Sequence, residues 1–92
     1  MKRLEVLDER LDNANTVVDQ ADYVLVRDCW IENQEIATLN KNVLFVGCYL
    51  ENCDIRVADT RQFSTCYITG GSFEQVKRIP SHYQALTPSA RV

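Results

Sequence analysis

The sequence contains few of the residues that interrupt regular structure. Its 92 residues include three glycines and two prolines, and hydrophobic residues make up 46% of the chain. This composition is not that of a low-complexity or disordered segment, and it supplies enough apolar material for one compact core. A chain of this length forms one domain, which excludes an enzyme assembled from two lobes around a cleft.

Positive charge and long apolar runs are also scarce. Ten Lys and Arg residues against thirteen Asp and Glu residues give a net charge of −3. This balance argues against a cationic protein that binds nucleic acid directly. No apolar run approaches the roughly 18 residues of a membrane span, and charges interrupt the N-terminus at once, unlike a signal peptide. We therefore predict a cytoplasmic protein that contacts no membrane and keeps its thiols reduced.

The residues that usually build metal and catalytic centres are few and widely spaced. The four cysteines form neither a CxxC motif nor a zinc-finger pair with the single histidine, His82. No phosphate-binding glycine loop or nucleophile motif is present. The sequence predicts no metal, no cofactor and no enzymatic activity, with His82 a solvated residue in an irregular tail.

A repeat of 18 or 19 residues runs through the middle of the chain. The string CWIEN at 29–33 returns as CYLEN at 48–52 and, more loosely, as CYITG at 66–70. Aligning the cysteines brings three apolar columns into register. These columns are Val26, Phe45 and Phe63; Ile31, Leu50 and Ile68; and Ile36, Ile55 and Phe73.

Within each repeat the apolar centres lie five residues apart, which fits neither an amphipathic helix nor a long strand. A spacing of five is typical of a short strand followed by a corner, with three or four such sides closing one coil. The prediction is an all-β fold: a short right-handed parallel β-helix of about three coils of 18–19 residues, in which like residues stack.

Several segments are similar to the units of pentapeptide-repeat proteins, which place a small residue, then Asp or Asn, then Leu or Phe at the centre. The segments are CDIRV at 53–57 with ADT at 58–60, ADY at 21–23 and GSFEQ at 71–75. The resemblance covers roughly residues 14–75 and implies a coiled parallel β-structure. It departs from the family because one side of the coil is shortened, so an irregular β-helix of the broader kind fits equally well.

The ends of the chain lack the repeat. Residues 1–13 are predicted to form an N-terminal cap, residues 14–76 the solenoid and residues 77–92 a C-terminal tail. Leu4, Leu7 and Leu11 have helical spacing and favour a short helix, with a strand through Leu4 and Val6 as the rival interpretation. The tail residues Ile79, Tyr83 and Leu86 are candidates to fold back on the solenoid.

Two further columns have a structural explanation. Cys29, Cys48 and Cys66 are expected to form an inward stack of small residues rather than a reactive thiol site. Asn33 and Asn52, with Gly70 in the same place, are expected at a corner, because both residue types tolerate left-handed backbone.

The strand alternation places a set of aromatic and apolar residues outside. Trp30, Tyr49 and Tyr67 flank the inward centres, and Leu25, Leu44 and Val46 face outward on the adjacent side. An exposed apolar strip is usually covered by something. The candidates are the chain's own termini, a second subunit or partner protein, and stacking of a sugar or base.

Acidic residues accompany the aromatic positions. Glu32 aligns with Glu51, and Glu35 with Asp54. We expect these columns to be either a solvated face or a surface that attracts a basic partner.

These observations predict a non-enzymatic protein-interaction module that forms a homodimer, either through the strip of Trp30, Tyr49 and Tyr67 or through one exposed end of the solenoid. Its acidic face is expected to meet a basic macromolecular partner. The alternatives are a DNA-mimic inhibitor, as some pentapeptide-repeat proteins are toward DNA topoisomerases, and a carbohydrate-binding β-helix. By analogy, such a small chain resembles accessory proteins of phages or other mobile elements. The candidate interface comprises Leu25, Trp30, Leu44, Tyr49, Tyr67, Glu32, Glu51, Glu35 and Asp54.

Overall fold

A computed structural model describes residues 2–78 of the chain. Across this range the backbone forms short strands joined by tight corners, with one helical turn, α1 (Ala14–Val17), and one 3-10 turn, η1 (Thr60–Gln62). The strands are β1 (Arg3–Leu7), β2 (Arg10–Leu11), β3 (Tyr23–Arg27), β4 (Trp30–Glu32), β5 (Glu35–Thr38), β6 (Val43–Val46), β7 (Tyr49–Glu51), β8 (Asp54–Val57), β9 (Phe63–Ser64), β10 (Tyr67–Thr69) and β11 (Ser72–Gln75).

The strands stack into three parallel sheets that run along the molecule. The first sheet has the order β1-β3-β6-β9, the second β10-β7-β4-β2 and the third β11-β8-β5. Each passage of the chain through the three sheets makes one turn, and about four turns form a parallel β-solenoid. The predicted fold class is confirmed.

The three predicted apolar columns occupy the interior. Val26 pairs with Phe45 and Phe45 with Phe63; the columns centred on Leu50 and Ile55 pair in the same way. Central members such as Leu50 and Ile55 are fully buried, because turns above and below cover them. The rings of Phe45 and Phe63 stack with centroids 4.4 Å apart. Coverage decreases in the last turn, where Phe73 is 36% exposed.

The N-terminal segment forms a further turn of the solenoid. Residues Arg3–Leu7 are a strand that pairs in parallel with β3, so the predicted helix through Leu4, Leu7 and Leu11 is wrong and the rival strand interpretation is correct. Leu4 and Val6 alternate with exposed neighbours and pack against the core. This turn brings the count from the expected three coils to about four.

In the first turn a helical turn replaces the third strand. α1 packs against β5, with the Ala37 N–H donating to Asn15 Oδ1 at 2.8 Å and the Ala14 N–H donating to Gln34 Oε1 at 2.9 Å. The first turn therefore meets the third sheet with a helical turn rather than a strand. Ala14 and Val17 are buried and form part of the hydrophobic core.

Residues with left-handed backbone conformation form the corners between the sheets. Asn33, Asn52 and Gly70 have φ values of 55°, 56° and 68° at the corner between the second and third sheets, as predicted. The corner between the first and second sheets uses Asp28, Gly47 and Thr65, each directly before a cysteine. Asn and Gly suit this conformation, while a β-branched Thr rarely adopts it.

The return from the third sheet to the first is a loop closed by a buried glutamine. Gln62 is 4% exposed, and its Nε2 donates to the carbonyls of Val43 at 2.8 Å and Asn40 at 3.0 Å. Its Oε1 accepts from the Asp59 N–H at 3.0 Å. One side chain thus satisfies three backbone groups, two in the return loops and one at the first residue of β6.

The predicted tail contacts of Ile79, Tyr83 and Leu86, and the solvated position of His82, lie outside the described residues. Within residues 2–78 no helix has the length and hydropathy that a membrane span requires.

Candidate functional site

The second sheet presents a column of aromatic rings, here called the aromatic ladder: Trp30, Tyr49 and Tyr67. These residues share one register position of β4, β7 and β10, and their side chains alternate with inward Ile31, Leu50 and Ile68. The Trp30 and Tyr49 centroids lie 4.9 Å apart edge to face, and those of Tyr49 and Tyr67 lie 5.2 Å apart in a stack. Trp30 is 49% exposed and Tyr67 62% exposed. The ladder is therefore an outward, pre-ordered surface, in the predicted place.

A column of glutamates runs beside the ladder on the same strands. Trp30 Nε1 donates to Glu32 Oε2 at 2.7 Å, and the Tyr49 hydroxyl donates to Glu51 Oε1 at 3.3 Å. Partial burial, followed by the charge of the nearby Glu51, raises the pKa of the Tyr49 phenol. The rings of Trp30 and Tyr49 are thus each oriented by the glutamate two residues further along the strand. In the last turn Thr69 replaces the glutamate.

An arginine stands at the foot of the ladder. Arg10 pairs in register with Trp30, and its guanidinium donates to Glu32 Oε1 at 2.9 Å. A groove of about 330 Å³ opens here, lined by Asp8, Glu9, Arg10, Asp28 and Trp30. The sequence repeat does not reveal Arg10, because the first turn lacks the cysteine that marks each later repeat. The only available signal was its position 20 residues before Trp30.

The second acidic column lies across the asparagine corner, on the third sheet. Glu35 and Asp54 are in register, as predicted. Arg56 donates from one nitrogen to both carboxylate oxygens of Asp54 at 2.8 Å, and it lies 3.5 Å from Glu74. The Ser72 hydroxyl also donates to Asp54. Much of the negative charge of this column is therefore compensated within the protein.

The predicted apolar strip lies on the first sheet, across the other corner. Leu25 and Leu44 pair in register, and Leu44 is 46% exposed, while Leu25 and Val46 are half-buried. The Asp28–Gly47 corner separates this strip from the aromatic ladder. The candidate interface residues thus occupy three faces rather than one continuous patch.

The cysteines form the expected interior stack of free thiols. Cys48 Sγ donates to the Val26 carbonyl at 3.3 Å, and Cys66 Sγ to the Phe45 carbonyl at 3.3 Å. The interaction between the Cys48 and Cys66 side chains lowers the pKa of Cys66 and, together with burial, raises the pKa of Cys48. Within residues 2–78 no cluster of His, Cys, Asp and Glu has the geometry to hold a metal ion.

The fold and surface define a short parallel β-solenoid with an ordered aromatic and acidic ladder on one face. No protein-family model, curated protein or solved structure matches the chain.

Proposed function

We propose that this protein is a non-enzymatic interaction module that binds a basic segment of a partner protein on its aromatic ladder and the glutamates beside it. The observation that supports this is the position of Arg10. Arg10 occupies the register position below Trp30, and its guanidinium pairs with Glu32. The protein thereby contains one example of the arginine–glutamate pair that the rest of the face offers to an external cation.

The upper part of the face has the same groups without an arginine. Within residues 2–78, Glu51 forms no ion pair, and its carboxylate accepts from the Tyr49 hydroxyl. The exposed ring of Tyr67 lies one turn above. An arginine stacked on an aromatic face gains about 0.5–2 kcal/mol, and a paired carboxylate adds charge-assisted hydrogen bonds. Tyr49, Glu51 and Tyr67 are therefore the proposed contact residues.

The charge of the face favours a basic protein segment over other ligands. The glutamates beside the ladder would repel the phosphates of a nucleic acid. The DNA-mimic alternative is less well supported, because Arg10 and Arg56 neutralise acids in both columns.

The test uses Trp30, the one tryptophan of the chain, as a reporter inside the site. A hexa-arginine peptide should change Trp30 fluorescence saturably, with affinity that falls as salt rises. A hexa-glutamate peptide should have no effect. Cello- and chito-oligosaccharides are tested separately. If they change Trp30 fluorescence and hexa-arginine does not, the carbohydrate-binding alternative replaces the proposal.

A matched pair of variants locates the binding. Glu51→Gln should weaken hexa-arginine binding several-fold, and Tyr67→Ala should do the same by removing a stacking surface. Glu35→Gln removes an equal charge from the third sheet and should leave the affinity unchanged. Equal losses in Glu51→Gln and Glu35→Gln would mean that only net charge attracts the peptide, and the proposed site would then be rejected.

We also propose a family relationship, a cellular location and a biological role for the protein. Relationship to pentapeptide-repeat proteins is supported by inward centres five residues apart on consecutive strands, such as Ile31 and Ile36, while the loop at 39–42 stands where a fourth side would be. A cytoplasmic location and an accessory role in a phage or mobile element rest on the sequence alone. The absence of enzymatic activity likewise rests on the sequence, which contains no phosphate-binding glycine loop or nucleophile motif.

A further inference from the structure

The first strand leaves one backbone edge without a partner in the described part of the chain. β1 lies at the end of the first sheet and pairs with β3 alone. The Lys2 carbonyl accepts from the Tyr23 N–H at 3.2 Å, and the Asp8 N–H donates to the Arg27 carbonyl at 3.0 Å. Alternate residues of a strand in a parallel ladder bond to the same neighbour. The even-numbered residues therefore bond to β3, and Arg3, Glu5 and Leu7 present their N–H and C=O groups at the free edge.

The side chains on this edge have opposite charges two residues apart. Arg3 and Glu5 both face outward and are exposed, and neither forms an ion pair within residues 2–78. The Arg3 guanidinium lies 5.2 Å from the centroid of the Tyr23 ring, which holds it on the outer face. Exposed edges usually carry features that prevent pairing, but a strand with one positive and one negative residue is complementary to its own antiparallel copy.

From this edge we infer that two copies of the chain associate end to end by antiparallel pairing of β1 with β1, about a two-fold axis at Leu4. In this register Arg3 lies opposite Glu5 of the second copy, and Glu5 lies opposite Arg3. Both are residues whose backbone groups face the edge, so each such pair exchanges both of its N–H···O bonds. Leu4 faces Leu4 on the inner side, where it is half-buried at the end of the core.

The alternating direction of the backbone groups along β1 and the charges of Arg3 and Glu5 together select this register. A shift of one residue would place Arg3 and Glu5, whose backbone groups face the edge, opposite residues whose backbone N–H and C=O groups already bond to β3. A register whose two-fold axis passes through Glu5 instead of Leu4 places Glu5 opposite Glu5 of the second copy. Like charges directly opposite each other are destabilising. The two-fold arrangement is closed, because it uses the same edge on both copies and leaves no further β1 edge for a third. This inference does not depend on the proposed binding face, which lies on the second sheet.

A charge swap on the full-length chain tests the inference. Sedimentation equilibrium should show a monomer–dimer equilibrium for the natural sequence. Arg3→Glu and Glu5→Arg should each raise the dimer dissociation constant at least about tenfold, since both symmetry-related pairs change from attraction to repulsion. The double variant Arg3→Glu with Glu5→Arg should restore the constant to within about threefold. Lys41→Glu, in an exposed loop on another side, should have little effect.

Amide exchange provides a second readout that does not rely on charge. In the dimer, the N–H groups of Arg3 and Glu5 should exchange slowly, and dilution to monomer should accelerate them. The N–H groups of Leu4 and Val6 bond to β3 and should be protected in both states. A chain that stays monomeric at the highest soluble concentration would overturn the inference. So would a dimer that the double variant does not rescue, or one in which the Arg3 and Glu5 amides exchange as in the monomer.

Discussion

The side chain of Asn52 donates from Nδ2 to Oδ1 of Asn33 at 2.8 Å, joining two corners of the solenoid that lie one turn apart. Both residues have left-handed backbone, with φ near 55°. The Asn52 N–H also donates to the Thr69 carbonyl of the next turn at 2.8 Å. One residue type thus supplies the corner conformation and a bond along the stack.

Substitutions at Asn52 should separate these two contributions. Asn52→Gly keeps the conformation and loses the side-chain bond, which should lower the free energy of unfolding by about 0.5–1 kcal/mol. Asn52→Ala should cost about 1 kcal/mol more, because a side chain with Cβ is strained at this φ. Urea unfolding monitored by circular dichroism measures both. An Ala variant as stable as the Gly variant would show that the corner does not require left-handed backbone.

The two glycines of the last corner offer a matched pair. A Cβ on Gly71 would lie 2.1 Å from the Cys53 carbonyl oxygen, whereas one on Gly70 would meet nothing closer than 3.6 Å. Both have φ of +68°. Gly70→Ala should therefore cost about 1–2 kcal/mol from backbone strain alone. Gly71→Ala should cost at least about 2 kcal/mol more, because the backbone of the turn below must shift. Thermal unfolding should rank the two variants in this order, and similar melting temperatures would argue against the close approach at Gly71.

The inward and outward assignments are tested at adjacent residues. Leu50 is fully buried between Ile31 and Ile68, and Glu51 is exposed beside it. Leu50→Asp should abolish folding, since a buried unpaired charge costs several kcal/mol out of a total of about 5–15. Glu51→Lys should change stability by less than about 1 kcal/mol. Soluble yield and circular dichroism distinguish the two, and the reverse result would invert the assignment of faces.

Acid stability should depend in part on Asp59. Hydrogen bonds from the Arg61 guanidinium, with one from the Arg61 N–H, lower the pKa of Asp59 to about 2. Because the folded pKa lies below the unfolded value of about 3.9, this carboxylate stabilises the fold above that pH. Its contribution is lost as the pH falls through about 2.

Carboxyl carbon chemical shifts followed by NMR should give a midpoint near 2 for Asp59. In Arg61→Gln the midpoint of Asp59 should rise toward the ordinary value for aspartate. An unchanged midpoint at Asp59 in Arg61→Gln would show that the ion pair does not form in solution.

The interior was predictable because the same three apolar positions recur in each repeat at nearly constant distances from a cysteine. Val26, Leu50 and Ile55 could be assigned inward from spacing alone, since a side chain repeated every 18 or 19 residues stacks on itself. The first turn was not predictable in this way. Its equivalent of Cys29 is Glu9, as Arg10 aligns with Trp30, so this cysteine is absent and the spacing of Leu4, Leu7 and Leu11 resembles a helix.

Other features depend on contacts that local sequence does not report. The left-handed corner at Asp28, Gly47 and Thr65 includes a residue type that rarely adopts it. Gln62 has an ordinary polar side chain whose burial follows from the loop that it closes. The outward position of the aromatic ladder was predictable from alternation, but the Arg10–Glu32 pair required the position of the first turn.

Because equivalent strands of successive turns pair in parallel, the molecule is modular along its axis. A tandem duplication of a single 19-residue turn would lengthen it by one strand spacing, about 4.8 Å, while keeping the cross-section. Each inserted copy would also bring another ring and another acid to the outer surface. The reach of that surface, and with it the length of ligand accommodated, is adjustable in discrete steps without redesign of the core.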